Sequence, residues 1–196
     1  MERDMNRAQV QQIAHLKKKM FTGKIWHTED KQTQNYPDHL IKYIKSHLPH
    51  TVAPVSFDDL CKELDWTVVY KKTATKADAV IGSNWFTDFD FINKFKGAYE
   101  GIKQHGYIAL TLPIGIHNGD ISIQPKVIHR LAKENELGVS YFTLNHTSGQ
   151  YPVQMDLATD EFAYDDMVNK LQKYDDSKEL YMSVTFQKNH TGAFKW

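Results

Sequence analysis

Three short stretches carry side chains whose types and spacing could do chemistry. Asp88-Phe89-Asp90 sets two carboxylates two residues apart. That spacing could hold Mg2+ or Mn2+ on the diphosphate of a nucleotide sugar, because hard cations take oxygen ligands. The same carboxylates also suit the start of a helix, where Asp favours the positive dipole end. His117, Asn118 and Asp120 bring an imidazole close to a carboxylate. Such a pair is a workable general base for deprotonating a hydroxyl, although Asn118-Gly119 is equally an ordinary turn signal. His27, Glu29 and Asp30 could bind a polar ligand or a metal, or His27 could act as a base near neutral pH. The plain alternative is a polar surface loop. Asn84, Trp85 and Phe86 add an amide and two rings, suited to stacking on a ligand or to packing in a core.

These residues need elements to hold them. Ala77 to Ile114 reads as strand, helix, strand. Ala79, Val80 and Ile81 form an apolar run ending in Gly82-Ser83-Asn84. Phe91, Phe95, Ala98, Tyr99 and Ile102 recur at helical spacing, with Gly106 as the expected stop. Tyr107 to Leu112 is a second apolar run, stopped by Pro113. Two such strands joined by one amphipathic helix predict a βαβ unit in a parallel sheet covered on both faces. Ligands of such sheets bind past the carboxyl ends of the strands. This assigns 83–90 and 113–120 to the rim of a cleft.

The remaining chain supplies more of the same. Met5 to Met20 predicts a helix whose terminal Lys17-Lys18-Lys19 suits the negative dipole end. Lys24 to His27 predicts a strand, and Pro37 opens a helix carrying Leu40, Ile41, Ile44 and Leu48. Thr51 to Val55 reads as a short extended piece. Ser56 with Asp59 resembles a capping box before Phe57, Leu60, Cys61 and Leu64. Trp66 to Tyr70 has strong β-propensity. Pro125 starts a helix that Gly138 should end, and Val139 to Leu144 is a strand. Asp160 should cap a helix carrying Ala163, Met167, Leu171 and Tyr174. Leu180 to Gln187 alternates apolar and polar, which predicts a half-exposed strand antiparallel to a neighbour. The expected class is α/β: a doubly wound, mostly parallel Rossmann-like sheet with a late antiparallel strand. At 196 residues it should be one domain, with 1–22 as a helix packed on or beside it.

Composition narrows the partners. Hydrophobic residues are 41%, charged residues 24% and the formal net charge +0, so no global bias favours nucleic acid or a membrane surface. The charge is unevenly spread: Arg3, Arg7 and Lys17 to Lys19 make the start basic, and Asp156 to Asp176 is acidic. One cysteine, Cys61, excludes an internal disulfide and suits a buried structural thiol. No apolar run approaches the roughly 20 residues of a membrane span, and no signal peptide opens the chain. A reducing cytoplasm is the expected compartment, and a small molecule the expected substrate.

The element order resembles that of a class I, S-adenosylmethionine-dependent methyltransferase. ADAVIGSNWFTDF is similar to that family's fourth strand and following loop, and INKFKGAYEGIKQHG to the helix before its fifth. YIALTLP resembles the fifth strand, QPKVIHRLAKENELGVSYFTL the next helix and sixth strand, and ELYMSVTFQ the seventh. Carried backwards, Lys24 to His27 would be the first strand, Val52 to Val55 the second and Trp66 to Tyr70 the third. The first strand departs from the family pattern: KIWHTEDKQTQNY has no glycine-rich turn. The resemblance implies S-adenosylmethionine held near His27, Glu29, Asp30, Asp58 and Asn84. It implies methyl transfer to a hydroxyl of a small molecule, a sugar among the candidates, with His117 and Asp120 catalytic. Two other readings stand beside it. One is a metal-dependent nucleotide-sugar glycosyltransferase using Asp88 and Asp90. The other is a non-catalytic binding or assembly subunit that keeps the architecture without the glycine turn.

Overall fold

A computed structural model of the chain describes residues 2–28, 35–52, 54–83, 91–114, 116–117, 120–121, 125–146, 153–154, 180–189 and 192–195. The helices are α1 (Glu2–Lys19), α2 (Asp38–His47), α3 (Phe57–Glu63), α4 (Phe91–Gly101) and α5 (Pro125–Glu134). The strands are β1 (Gly23–His27), β2 (Trp66–Val69), β3 (Ala77–Ser83), β4 (Ile102–Ile114), β5 (Ile116–His117), β6 (Asp120–Ile121), β7 (Leu137–His146), β8 (Val153–Gln154) and β9 (Leu180–Lys188). The main sheet runs β2-β1-β3-β4-β9-β7-β8, and β5 pairs with β6 apart from it. β1 is parallel to β2 and β3, and β3 is parallel to β4. β9 is antiparallel to both β4 and β7. This is the expected doubly wound sheet with its late antiparallel strand.

Each face of the sheet has its own apolar layer. Val10, Ile13 and Leu16 of α1, Leu40 and Ile44 of α2, and Leu60 of α3 close over Ile25, Ile81 and Ala109. On the other face Phe95 and Tyr99 of α4 and Leu131 of α5 close over Val80, Leu110, Val184 and Phe186. Full burial of such side chains contributes about 1.5–3 kcal/mol each, so the helices are held mainly by their apolar stripes. Local signals set their ends. Ser56 Oγ accepts the N–H of Asp59 at 3.2 Å and starts α3. At the other end of α4, buried Lys188 donates to the carbonyls of Tyr99 at 3.0 Å and Ile102 at 3.5 Å. Its ammonium lies 4.2 Å from the Tyr99 ring centroid.

Four expectations are corrected. Residues 51, 52, 54 and 55 form no strand; Val52 and Val55 are exposed, and the segment connects α2 to α3. Trp66–Val69 therefore lies directly beside β1, at the end of the strand order, and takes the place expected of Val52 to Val55. Helix α4 stops at Gly101, before Gly106, because 102–106 already bends into an irregular pairing with β3. Gly106 is needed within that strand instead: a Cβ there would meet the Asp78 and Lys103 carbonyl oxygens, each at 2.8 Å. Gly138 likewise lies inside β7 rather than ending α5. Finally, β9 is not half exposed. Met182, Val184 and Phe186 face one apolar layer, while Ser183 and Thr185, equally buried, lie under α1. The helix expected from Asp160 lies outside the described residues. No helix of the described residues is long and apolar enough to cross a membrane.

One side chain satisfies Thr185 on the polar face of β9, whereas the Ser183 hydroxyl is buried without a partner among the described residues. Gln12, buried on α1, donates to the carbonyls of Val184 at 2.9 Å and Leu110 at 3.2 Å and to Thr185 Oγ1 at 3.1 Å. Its oxygen accepts the Thr111 hydroxyl at 3.3 Å. Gln12→Leu should keep the volume but strand these groups, each costing about 1–3 kcal/mol. Urea unfolding should show a loss of about 2–4 kcal/mol. A variant as stable as the parent would mean that α1 is held by its apolar stripe alone.

Candidate functional site

The strand order reverses at β1. From β1 the chain leaves through α2 and α3 to β2 on one side, then returns past β1 to β3 on the other. The return is made by 70–76 alone, which crosses beside Lys24; the Lys24 ammonium donates to Thr73 Oγ1 and, at 2.9 Å, to the Thr75 carbonyl. Ligands of open α/β sheets bind at such a switch point, beyond the carboxyl ends of the strands. Here those ends carry His27 as the last residue of β1 and Thr28 after it, Tyr70 after β2 and Gly82 in β3. The Thr28 N–H donates to the Ile81 carbonyl at 3.1 Å and pins the two central strands together at the cleft.

His27 is buried between two rings, with its centroid 4.5 Å from that of Phe57 and 5.7 Å from that of Tyr70, the latter edge-on. Phe57 arrives there because Ser56 caps α3 and turns its first residue toward the sheet. The same turn carries Asp58, whose carboxylate accepts the Tyr70 hydroxyl. Tyr36 is tied in by its N–H, which donates to the Val55 carbonyl at 2.6 Å. Burial, then the neighbouring Cys61, Tyr70 and Asp58, pushes the Tyr36 phenol above its ordinary value. The Tyr70 phenol is raised in turn by burial and by the hydrogen bond to Asp58. Cys61, buried behind them, has its thiol pushed up to about 12 by burial and by Asp58. Both phenols and the thiol are therefore neutral near pH 7. The assembled surface is aromatic, with the Asp58 carboxylate set into it. Stacking faces beside a carboxylate acceptor suit a nucleoside: rings for the base, carboxylate and phenol for ribose hydroxyls.

His27 and Asp58, singled out in the sequence, are thus brought into one cluster. Glu29, Asp30, Asn84, Trp85, Phe86, Asp88 and Asp90 lie outside the described residues. His117 and Asp120 are directly opposite each other in the β5–β6 pairing, which follows the carboxyl end of β4; the expected turn at Asn118-Gly119 lies outside the described residues. Tyr36, Phe57 and Tyr70 were not foreseen. Tyr70 had a signal: it follows the last residue of β2, the position where such folds read the ribose. Cys61 is the inert, buried thiol expected. Among the described residues no group of His, Cys, Asp and Glu could hold a metal ion.

No protein-family model matches the chain, and no curated protein sequence does. Solved structures do. The N-methyltransferase NodS from Bradyrhizobium japonicum WM9, in complex with S-adenosyl-L-homocysteine, matches with a TM-score of 0.50 at 9% identity, over 94% of this chain and 86% of its own. The plantazolicin methyltransferase BamL, in complex with S-adenosyl-L-homocysteine and a triazolic desmethyl analogue, gives 0.46 at 11% identity, over 95% and 85%. The O-methyltransferase of a trans-AT PKS multienzyme of Brevibacillus brevis gives 0.44 at 13%, over 95% and 74%. The match to NodS shows the fold: the chain has the Rossmann-like fold of the class I methyltransferases.

The buried thiol gives a direct check on this cluster. Cys61 should resist a disulfide reagent at pH 8 in the native protein and react fully once unfolded. Because its folded pKa lies above the unfolded value of 9.0, its contribution to stability is complete below pH 9 and is lost as pH rises toward about 12. Denaturation at stepped pH should show that fall, and Cys61→Ala should flatten it. Rapid labelling of the native protein would mean that the cluster opens in solution.

Proposed function

We propose that the chain is an S-adenosylmethionine-dependent methyltransferase acting on a hydroxyl of a small molecule, with sugars among the candidate acceptors. The observation that carries this is the Asp58–Tyr70 pair beside His27 and Phe57, at the carboxyl ends of β1 and β2. A family acid is expected after the second strand, and this chain has Tyr70-Lys71-Lys72 there instead. Asp58 serves from α3, with Tyr70 orienting its carboxylate toward the ribose hydroxyls. Phe57 and Tyr70 offer faces to the adenine. Glu29, Asp30 and Asn84 complete the cofactor side of the cleft. S-adenosylmethionine, when bound, supplies an electrophilic methyl group. The chain contributes the rest: it orients the acceptor oxygen, excludes water, and removes the hydroxyl proton at His117, with Asp120 steadying the resulting imidazolium. The cross-strand pairing of His117 with Asp120 past β4 supports that assignment.

One feature favours a second reading. β1 ends without glycine, and its last residue, His27, is buried with its ring against those of Phe57 and Tyr70. A non-catalytic binding subunit that keeps the architecture would look the same at this point.

Calorimetry separates the two. S-adenosylhomocysteine should bind, and Asp58→Ala should weaken binding about tenfold or more, the loss of one charge-assisted hydrogen-bond acceptor. Across a panel of small hydroxylated acceptors, His117→Ala should lower kcat by about 10²–10⁴ and leave S-adenosylhomocysteine affinity unchanged. No binding of S-adenosylhomocysteine even at high concentration sinks the methyltransferase reading.

A further inference from the structure

Among the described residues, four buried side-chain atoms have no hydrogen-bond partner: Arg7 Nε, Gln9 Nε2, His15 Nε2 and the Ser183 hydroxyl. Native chains leave few such atoms, and each needs a physical reason. For three of them the surroundings are plain. Arg7 lies over the Tyr43 ring at 5.3 Å, and the His15 ring lies 5.0 Å from that of Tyr141, so both side chains are held by aromatic neighbours. Ser183 sits at zero exposure beside Thr111 and Thr143, closed to any ligand. Gln9 is different, because its residue is only half-buried while its donor nitrogen is shielded.

The place of Gln9 follows from the course of α1. The helix ends at the amino ends of the parallel strands: the Met20 carbonyl accepts the Trp66 indole N–H at 3.2 Å, and Trp66 opens β2. Its start therefore lies toward their carboxyl ends. Gln12 stands level with Leu110 and Thr111 of β4. Gln9 comes one turn earlier, about 4.5 Å nearer the carboxyl end of β4. It also belongs to the sheet-facing stripe, since it precedes Gln12, Ile13 and Leu16 by three, four and seven residues, and all three are buried. Ile13 and Leu16 share a layer with Ile81 of β3 and Ala109 of β4. A helical side chain leans toward the start of its helix, which carries the Gln9 amide further the same way. Past that end of β4 come His117 and Asp120.

We infer that Gln9 is a substrate-binding residue whose amide N–H donates to an oxygen of the methyl acceptor, and so favours acceptors with several hydroxyls. Only the naming of that ligand as the methyl acceptor rests on the function proposed above. A carboxamide nitrogen offers two donors and accepts nothing, so its complement is an oxygen lone pair. It carries no charge, which matches a neutral hydroxyl. Gln12 supplies the contrast. The same residue type, one turn away on the same stripe, makes four hydrogen bonds inside the fold. Gln9 instead leaves a shielded donor free. A free buried donor destabilises the empty protein, and an arriving ligand oxygen offsets that loss.

The test compares the full chain with Gln9→Met, which keeps the length of the side chain and removes its donors. Glucose and myo-inositol are titrated by calorimetry, with cyclohexanol as a single-hydroxyl control, with and without S-adenosylhomocysteine. A polyol should saturate the parent and bind Gln9→Met about tenfold more weakly, the loss of one hydrogen bond from a buried donor. Cyclohexanol affinity should be the same in both. Without ligand, Gln9→Met should unfold at the same or a higher urea concentration than the parent, the opposite of Gln12→Leu, because a free donor is gone. If S-adenosylhomocysteine binds neither chain, the methyltransferase reading fails, while the polyol and urea results still decide the role of Gln9. The inference is overturned by a urea midpoint lowered as in Gln12→Leu, which would mean that an ordered water holds the amide. It is equally overturned by equal polyol affinity in the two chains, or by no saturable polyol binding to the parent.

Discussion

The amide of Gln12 is the interaction on which the layered structure turns. A sheet covered on both faces normally fills its central strands with aliphatic side chains. Here the strand between β4 and β7 carries Ser183 and Thr185 at zero exposure, and Thr111 and Thr143 flank Ser183 on either side. Burying such a polar row is costly without partners of its own kind. Gln12 supplies them for Thr185 and Thr111 from a helix nearly a whole chain length away in sequence, while the Ser183 hydroxyl stays buried without a partner among the described residues. In doing so it fixes α1 over the join between the parallel half of the sheet and its antiparallel insert.

That placement leaves both ends of the sheet open. At the carboxyl ends, the divergence of the chain on either side of β1 makes a cleft whose contents are aromatic around the Asp58 carboxylate. At the amino ends, Lys17 and Lys18 of α1 line a groove together with Glu63 and Asp65. The chemistry of the cleft depends less on any strand-end signature than on α3, whose first turn delivers Phe57 and Asp58 together.

Much of the fold was legible because its signals are local. Ala79 to Ile81, Tyr107 to Leu112 and the Phe91–Tyr99 stripe are where periodicity placed them, and Pro125 and Ser56 start their helices as their chemistry suggests. What was misread depends on distant partners. Val52 and Val55 are strand-forming residues but pair with no strand among the described residues, and β2 and β3 occupy the two places beside β1. Alternation in Leu180 to Gln187 correctly marked a strand, yet exposure of its polar face was decided by Gln12. In the site, His27 and Asp58 were legible from their place after strand and cap. Tyr36 and Phe57 were not, because an aromatic residue at a loop or helix start has no local feature that tells stacking from packing.

The short return through 70–76 has a consequence for the behaviour of the chain in concentrated solution. Among the described residues β2 is the outermost strand of the sheet, and Thr67 to Val69 present a backbone edge with no neighbouring strand there. An open edge of β-branched residues is a template for pairing with another chain. This one is only four residues long. It is followed at once by exposed Lys71 and Lys72. Brevity and like charge both discourage edge-to-edge growth, so the lysines that end β2 act as a safeguard against aggregation.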